Sequence, residues 1–383
     1  MIGRSSSCTT IALAALLSVA CRGRALSDAQ NPASASASGS SSATAESDCT
    51  AGTLPLRKVL VKNIYTADPS AHVFGDTLYV YPSHDLEHNP APNDDGDHYG
   101  MKDYHVLSFD HGSCPQAIDH GEALNVKDVP WASKQLWAPD AAFKNGMYFL
   151  YFPARDKSGV FRIGVAKSAS PVGPFSAEPQ PIAGSYSIDP AVFVDDDGQA
   201  YMYFGGIWGG QLQNFRGGAF TPSSDVTKRV DAHGTLPSGK QNALGPRFAK
   251  LSADMTSFDG GVIEVSIVDS QKKPLEQGDN QRRFFEGAWM HKYNGVYYLS
   301  YSTGDTHYLV YAIASTPSGP FTYQGRLLTP VAGWTTHHSI VQYHGKWYLF
   351  YHDDSLSGAD NKRSIKVTEL THRADGSIPT MTP

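Results

Sequence analysis

One phrase recurs five times along the chain: "DPSAHVFGDTLYVYPSHD" from Asp68, "WAPDAAFKNGMYFLYFPAR" from Trp137, "DPAVFVDDDGQAYMYFGG" from Asp189, "EGAWMHKYNGVYYLSYSTG" from Glu286 and "HHSIVQYHGKWYLFYHDD" from His337. Each copy is a short strand, a Gly/Asn/Asp turn and a second strand rich in aromatic residues, the pattern of a hairpin. Aligned on Tyr79, Tyr148, Tyr201, Tyr297 and Tyr348, their first residues lie eleven, eleven, twelve, eleven and eleven positions earlier. A hairpin that buries aromatic residues on both faces needs a neighbour on each side, and five copies with no periodic helix between them give a radial array. The expected fold is all-β, a five-bladed β-propeller spanning residues 54–383. Outer hairpins are marked by "AKSASPVGPF" from Ala166 and "ASTPSGPFTYQG" from Ala314.

In such a ring the innermost strands line one axial channel, so register-matched positions converge there. The first position of each repeat holds Asp68, Trp137, Asp189, Glu286 and His337. Acids are seldom buried without a use, and three of five matched positions are acidic. The bland alternative sets these acids in solvent as caps of strand ends.

Two carboxylates facing each other across a cavity are the minimum equipment for glycoside hydrolysis, one protonating the leaving oxygen and the other activating water or attacking carbon. Glu286 stands among Phe284, Phe285 and Trp289, a setting that favours the neutral carboxyl and hence the general acid. Trp137 either stacks on a sugar ring or plugs the channel. Asp140 is either a further acid of the site or a turn residue of "WAPDAAF". Phe285 is placed beside the substrate, and Trp208 in "GGIWGGQLQ" borders the cleft, where glycines permit close approach of a ligand. The insertion "HNPAPNDDGDHYGMKDYHV" has a metal-like "NDDGD" core but no closing glutamate. It reads as a solvated loop shaping the rim rather than a calcium loop.

Taken in order, "TADPSAHVF", "WAPD", "SIDPAVFVDDDG", "FEGAWMHKYNGVYYLSYS" and "HHSIV" resemble the family 43 glycoside hydrolases over roughly Leu54 to Leu370. The resemblance implies an inverting enzyme with Asp68 as general base, Asp189 as modulator of pKa and Glu286 as general acid. It implies that His337 contacts a calcium ion, directly or through water, that Arg363 lies near the sugar and the acids, and that no organic cofactor is needed. The related retaining fructosidases of family 32 carry an Asn-Asp-Pro-Asn motif and a Glu-Cys acid. Here Asp68 follows Ala67 and Glu286 precedes Gly287.

The implied substrates are α-L-arabinofuranosyl or β-D-xylosyl residues at the ends of plant cell-wall oligosaccharides. An endo-arabinanase, with an open groove in place of a pocket, and a carbohydrate-binding propeller without catalysis are the rival readings. The loop "NDDGDHYG" and residues 209–247 favour a closed rim, and the three acids favour catalysis.

Residues 1–25 have the layout of a secretory signal, with Arg4 ahead of the apolar run "IALAALLSVA" and small residues before Cys21. Simple cleavage and acylation at Cys21, the second giving a membrane-anchored lipoprotein, are both open. Residues 26–53 include the Ser/Ala-rich tract "NPASASASGSSSATAES", which buries too little apolar surface to order itself and reads as a flexible linker. A secreted or periplasmic protein follows, in which Cys49 and Cys114 can pair. A net charge of -6 argues against a nucleic-acid partner.

Overall fold

A computed structural model describes residues 54–88, 90–93, 95–109, 117–215, 220 and 240–383. The expectations for the signal, the linker and the Cys49–Cys114 pair concern residues outside that set. The propeller lies within one compact unit, Asp48–Pro383.

Five antiparallel sheets follow one another along the chain. Blade one is Tyr65–Phe74, Thr77–Asp85, Asp103–Phe109 and Ala117–Asn125. Blade two runs from Asp140–Lys144 through Met147–Asp156 and Phe161–Ser168 to Ser176–Ala177, and Ala132–Lys134 pairs with the far end of its second strand. Blade three is Ala191–Val194, Ala200–Phe204, Arg247–Lys250 and Ile263–Glu264. Blade four is Glu286–Tyr293, Val296–Ser302, Leu309–Ala314 and Phe321–Leu328, with the short strand Ile267–Val268 added in parallel at its outer edge.

Blade five differs from the other four: its sheet has three strands, His338–Tyr343, Lys346–Asp353 and Ser364–Leu370. Its outer edge is taken by the start of the described chain, where Arg57 N–H donates to Val367 O at 2.7 Å and Leu60 N–H to Ile365 O at 3.0 Å. The first segment therefore closes the ring on the last sheet.

The period-2 alternation of each strand explains the ring. Along the second strand of blade two, Leu150 and Phe152 pack towards blade one, while Phe149 and Tyr151 pack towards blade three. Each of the five blade interfaces has its own apolar cluster, and the fifth, between blades five and one, also takes Leu54, Leu60, Val61 and Ile64.

Candidate active site

All five register-matched residues lie at the entry of an innermost strand and line one cavity of about 220 Å³. Asp68 is inside the first strand of blade one, and Glu286 opens that of blade four. His337 immediately precedes the first strand of blade five, Asp189 lies two residues before that of blade three, and Trp137 lies three residues before that of blade two. Phe285, Trp208 and Arg363 also line the cavity.

Both outer acids of the triad sit at irregularities. The pairing register of blade one shifts between Ala67 and Ser70, and that of blade four between Glu286 and Trp289. Such bulges re-aim a side chain out of the pleat. Asp68 and Asp189 have φ of +50° and +56°, a conformation that non-glycine residues adopt at a cost and that clusters at functional sites.

Asp68 is buried and held on both oxygens. Oδ1 accepts from Arg363 Nη1 at 2.9 Å, and Oδ2 accepts from the Ser83 hydroxyl at 2.7 Å. Burial pushes its pKa up, but the Arg363 guanidinium, with smaller contributions from the neighbouring histidines and Ser83, outweighs this and lowers it to about 2. Arg363 is in turn gripped by Asp85, which accepts from Nε at 2.8 Å, from Nη2 at 2.7 Å and from the Arg363 backbone N–H at 2.9 Å.

Glu286 and Asp189 are pushed the other way. Burial raises Glu286 well above the usual carboxylate range, and the charges of Asp189 and Asp68 add to the effect. Asp189 is raised as well, by burial and then by Asp68. Asp189 Oδ2 accepts the Gly287 N–H at 2.9 Å, a bond that favours its ionised form and leaves Glu286 the more readily protonated of the two.

His337 Nδ1 accepts the His338 backbone N–H at 2.9 Å, which puts the ring proton of the neutral imidazole on Nε2. That nitrogen is buried without a hydrogen-bond partner, 3.7 Å from Asp189 Oδ2. A protonated Nε2 is not a direct ligand, and calcium prefers oxygen donors. Of the two expected arrangements, contact with a cation through a water molecule is the one these atoms fit.

Aromatic side chains wall the cavity. Trp208, Phe285 and Trp334 contact one another with ring centroids 5.3 to 5.6 Å apart. Trp137 is fixed by donating Nε1–H to Tyr99 O at 2.7 Å. The acidic insertion forms the rim expected of it, with Asn93, Gly96, His98 and Tyr99 lining the cavity. Gly96 has φ +71° and lies so close to Trp137 that a Cβ there would stand 2.6 Å from the indole ring.

Asp140 is placed elsewhere. It is fully buried and is not part of the cavity wall, accepting from Ser70 Oγ and from the Val192 backbone N–H at 2.5 Å and facing His72 Nε2 at 2.6 Å. Sequence reasoning missed Asp85, Trp334 and Tyr99. Asp85 and Arg363 are 278 residues apart, and no local motif announces their pairing.

The profile of the Glycosyl hydrolases family 43 matches residues 118–378. Among characterised relatives, Xylosidase/arabinosidase 43A of Humicola insolens is 60% identical over 85% of this chain and 99% of its own length. A Xylosidase/arabinosidase of Bacteroides ovatus is 53% identical over 85% of this chain and 97% of its own. Among solved structures, a β-xylosidase/α-arabinofuranosidase from a compost microbial metagenome, in complex with xylotriose and in a calcium-free form, superposes with a TM-score of 0.82 at 59% identity. The superposition covers 86% of this chain and 98% of that one. With a full-length likeness, five blades and an acid-lined axial cavity in agreement, the chain belongs to the family 43 glycoside hydrolases, enzymes that cleave O-glycosidic bonds.

Proposed function

We propose that the chain is an inverting exo-glycosidase that removes terminal β-D-xylosyl or α-L-arabinofuranosyl residues from xylose- or arabinose-containing oligosaccharides. The observation that carries this reading is the placement of two carboxyls in opposite surroundings within one cavity, Asp68 held by the Arg363 guanidinium and the Ser83 hydroxyl, which favours its ionised form, and Glu286 buried beside Asp189, which favours its neutral form. A xylose complex and a xylotriose complex of a Xanthomonas citri relative, 53% identical, support a xylose-containing ligand.

In this mechanism Glu286 donates its proton to the leaving oxygen as the glycosidic bond lengthens. Asp68 takes a proton from a water molecule that attacks the anomeric carbon from the opposite face. Asp189 holds the proton on Glu286 by its negative charge and, through the Gly287 N–H, fixes the bulge that follows the acid. Arg363 keeps Asp68 ionised. The aromatic wall of Trp208, Phe285 and Trp334 offers faces for the C–H surface of a sugar. His337 would hold a calcium ion through water, and the ion would supply positive charge to the acid-lined cavity. The arginine-led apolar start and the Ser/Ala tract support an exported enzyme, with Cys21 as the position for a lipid anchor if one is added.

Nitrophenyl β-xyloside, nitrophenyl α-arabinofuranoside, xylotriose and linear arabinan form the deciding set. Release of monosaccharide from the first three, and no mid-chain cleavage of arabinan, is the expected result. Fast loss of arabinan chain length would overturn the exo assignment, and inactivity on every substrate would overturn catalysis.

A further inference from the structure

The sheet face of blade one that packs towards blade five carries Val80 and Leu107 in its apolar cluster. By strand alternation His84, Asp103 and His105 continue that face to its end. One ligand atom from each lies within 4.8 Å of the others. Their side chains are 18%, 16% and 13% exposed, enclosed but reachable from solvent.

The orientation of His105 is the informative part. Its Nδ1 lies 2.8 Å from Asp119 Oδ1, an oxygen that also accepts the Gly121 N–H at 2.9 Å, while Asn63 donates to the other oxygen at 3.0 Å. A carboxylate so held accepts the Nδ1–H hydrogen bond, which leaves the lone pair on Nε2. That lone pair faces Asp103 Oδ2 at 4.0 Å. Both atoms are acceptors in this arrangement, and a cation between them would satisfy both. His84 stands on the other side of the same carboxylate, with Nδ1 2.7 Å from Asp103 Oδ1, and its ring centroid is 4.5 Å from that of His105.

We propose that His84, Asp103 and His105 bind a divalent transition-metal ion of the zinc type, with Asp119 as the carboxylate that orients His105. Two imidazoles and one carboxylate with a fourth position for water suit zinc, whereas calcium and magnesium need more oxygen donors than the cluster offers. Ligands at about 2.0 to 2.1 Å in a tetrahedron stand ~3.4 Å apart, so modest side-chain rotation closes the site. Binding releases the proton shared by His84 and Asp103. The ion would join the second and third strands of blade one beside Asp85, the residue that grips Arg363.

Calorimetric titration of the chelator-treated full chain with zinc chloride tests this, alongside the visible spectrum of the cobalt(II)-loaded protein. One zinc per chain is expected, with a rise in Tm, four-coordinate cobalt bands and no displacement by excess calcium. His105→Gln and Asp103→Asn should abolish binding, and Asp119→Asn should weaken it about 10- to 100-fold. Circular dichroism and xyloside hydrolysis of His105→Gln without zinc should match the parent, which separates a lost ligand from a lost fold. Zinc binding unchanged in His105→Gln, binding lost in His337→Asn instead, or no binding by the parent chain would overturn the proposal. In the last case the charge between His105 and Asp103 is a proton.

Discussion

Asp68 and Glu286 carry the same chemical group in the same cavity, and what separates them is who stands beside each. Asp68 has a guanidinium and a hydroxyl, whereas Glu286 has burial and two neighbouring carboxyls. The pH dependence follows with a definite sign. Asp68, lowered from 3.8 to about 2, favours the folded state above pH 3.8, and that stabilisation is lost as pH falls through the interval to about 2. On the alkaline side activity should fall as Glu286 loses its proton above the usual carboxylate range. Asp189→Asn removes a charge that raises Glu286, so the alkaline limb of kcat/KM should move to lower pH. A limb that stays in place would show that Asp189 does not tune the acid. Glu286→Gln should cost natural xylo-oligosaccharides about 10² to 10⁴ in rate and a nitrophenyl glycoside far less, because the activated leaving group needs little protonation. Equal losses on both substrates, measured side by side, would remove Glu286 from the role of acid.

At the scale of strands, the site depends on groups that never touch the cavity. Asp85, at the end of the second strand of blade one, holds Arg363 at the start of the last strand of blade five, and Arg363 holds Asp68. Asp85→Ala leaves a buried guanidinium short of its partner and should destabilise the chain by about 3 to 5 kcal/mol, read by urea denaturation. The milder Asp85→Asn should lift the acidic limb of the pH profile, because a loosened Arg363 holds Asp68 less firmly. Asp140 plays the corresponding part outside the cavity wall, tying blade two to Ser70 of blade one and to the Val192 N–H of blade three. These ties were the illegible part of the sequence. The repeat located Asp68, Asp189, Glu286, Trp137 and His337 because side-chain period and turn chemistry are local. Whether the acid of "WAPD" lines the cavity or lies outside its wall depends on a three-residue offset before its strand, and the partner of Arg363 lies in another blade.

For the molecule as a whole, five interfaces of alternating aromatic and aliphatic residues must close into a circle, and the segment from Leu54 to Leu60 does so along Ser364–Leu370. The repeat predicted five blades but not the unequal last one, since two backbone hydrogen bonds from a non-repetitive segment leave no motif. Leu54 is 3% exposed, and Leu54→Ala should cost about 2 to 5 kcal/mol, lowering one cooperative transition rather than splitting it. A separate early transition would mean that the ring holds without its closing segment. Closure also sets the chemistry, because the proposed base, Asp68, and the proposed acid, Glu286, come from blades one and four into one shared cavity. The stereochemistry of the first product tests that arrangement most directly. Proton NMR of xylotriose hydrolysis, followed from the first minutes before mutarotation, should show α-xylose from a β-linked substrate as water enters opposite the leaving group. β-Xylose as the first product would mean that Asp68 or another group attacks carbon itself, and the assignment of base and acid would fall with it.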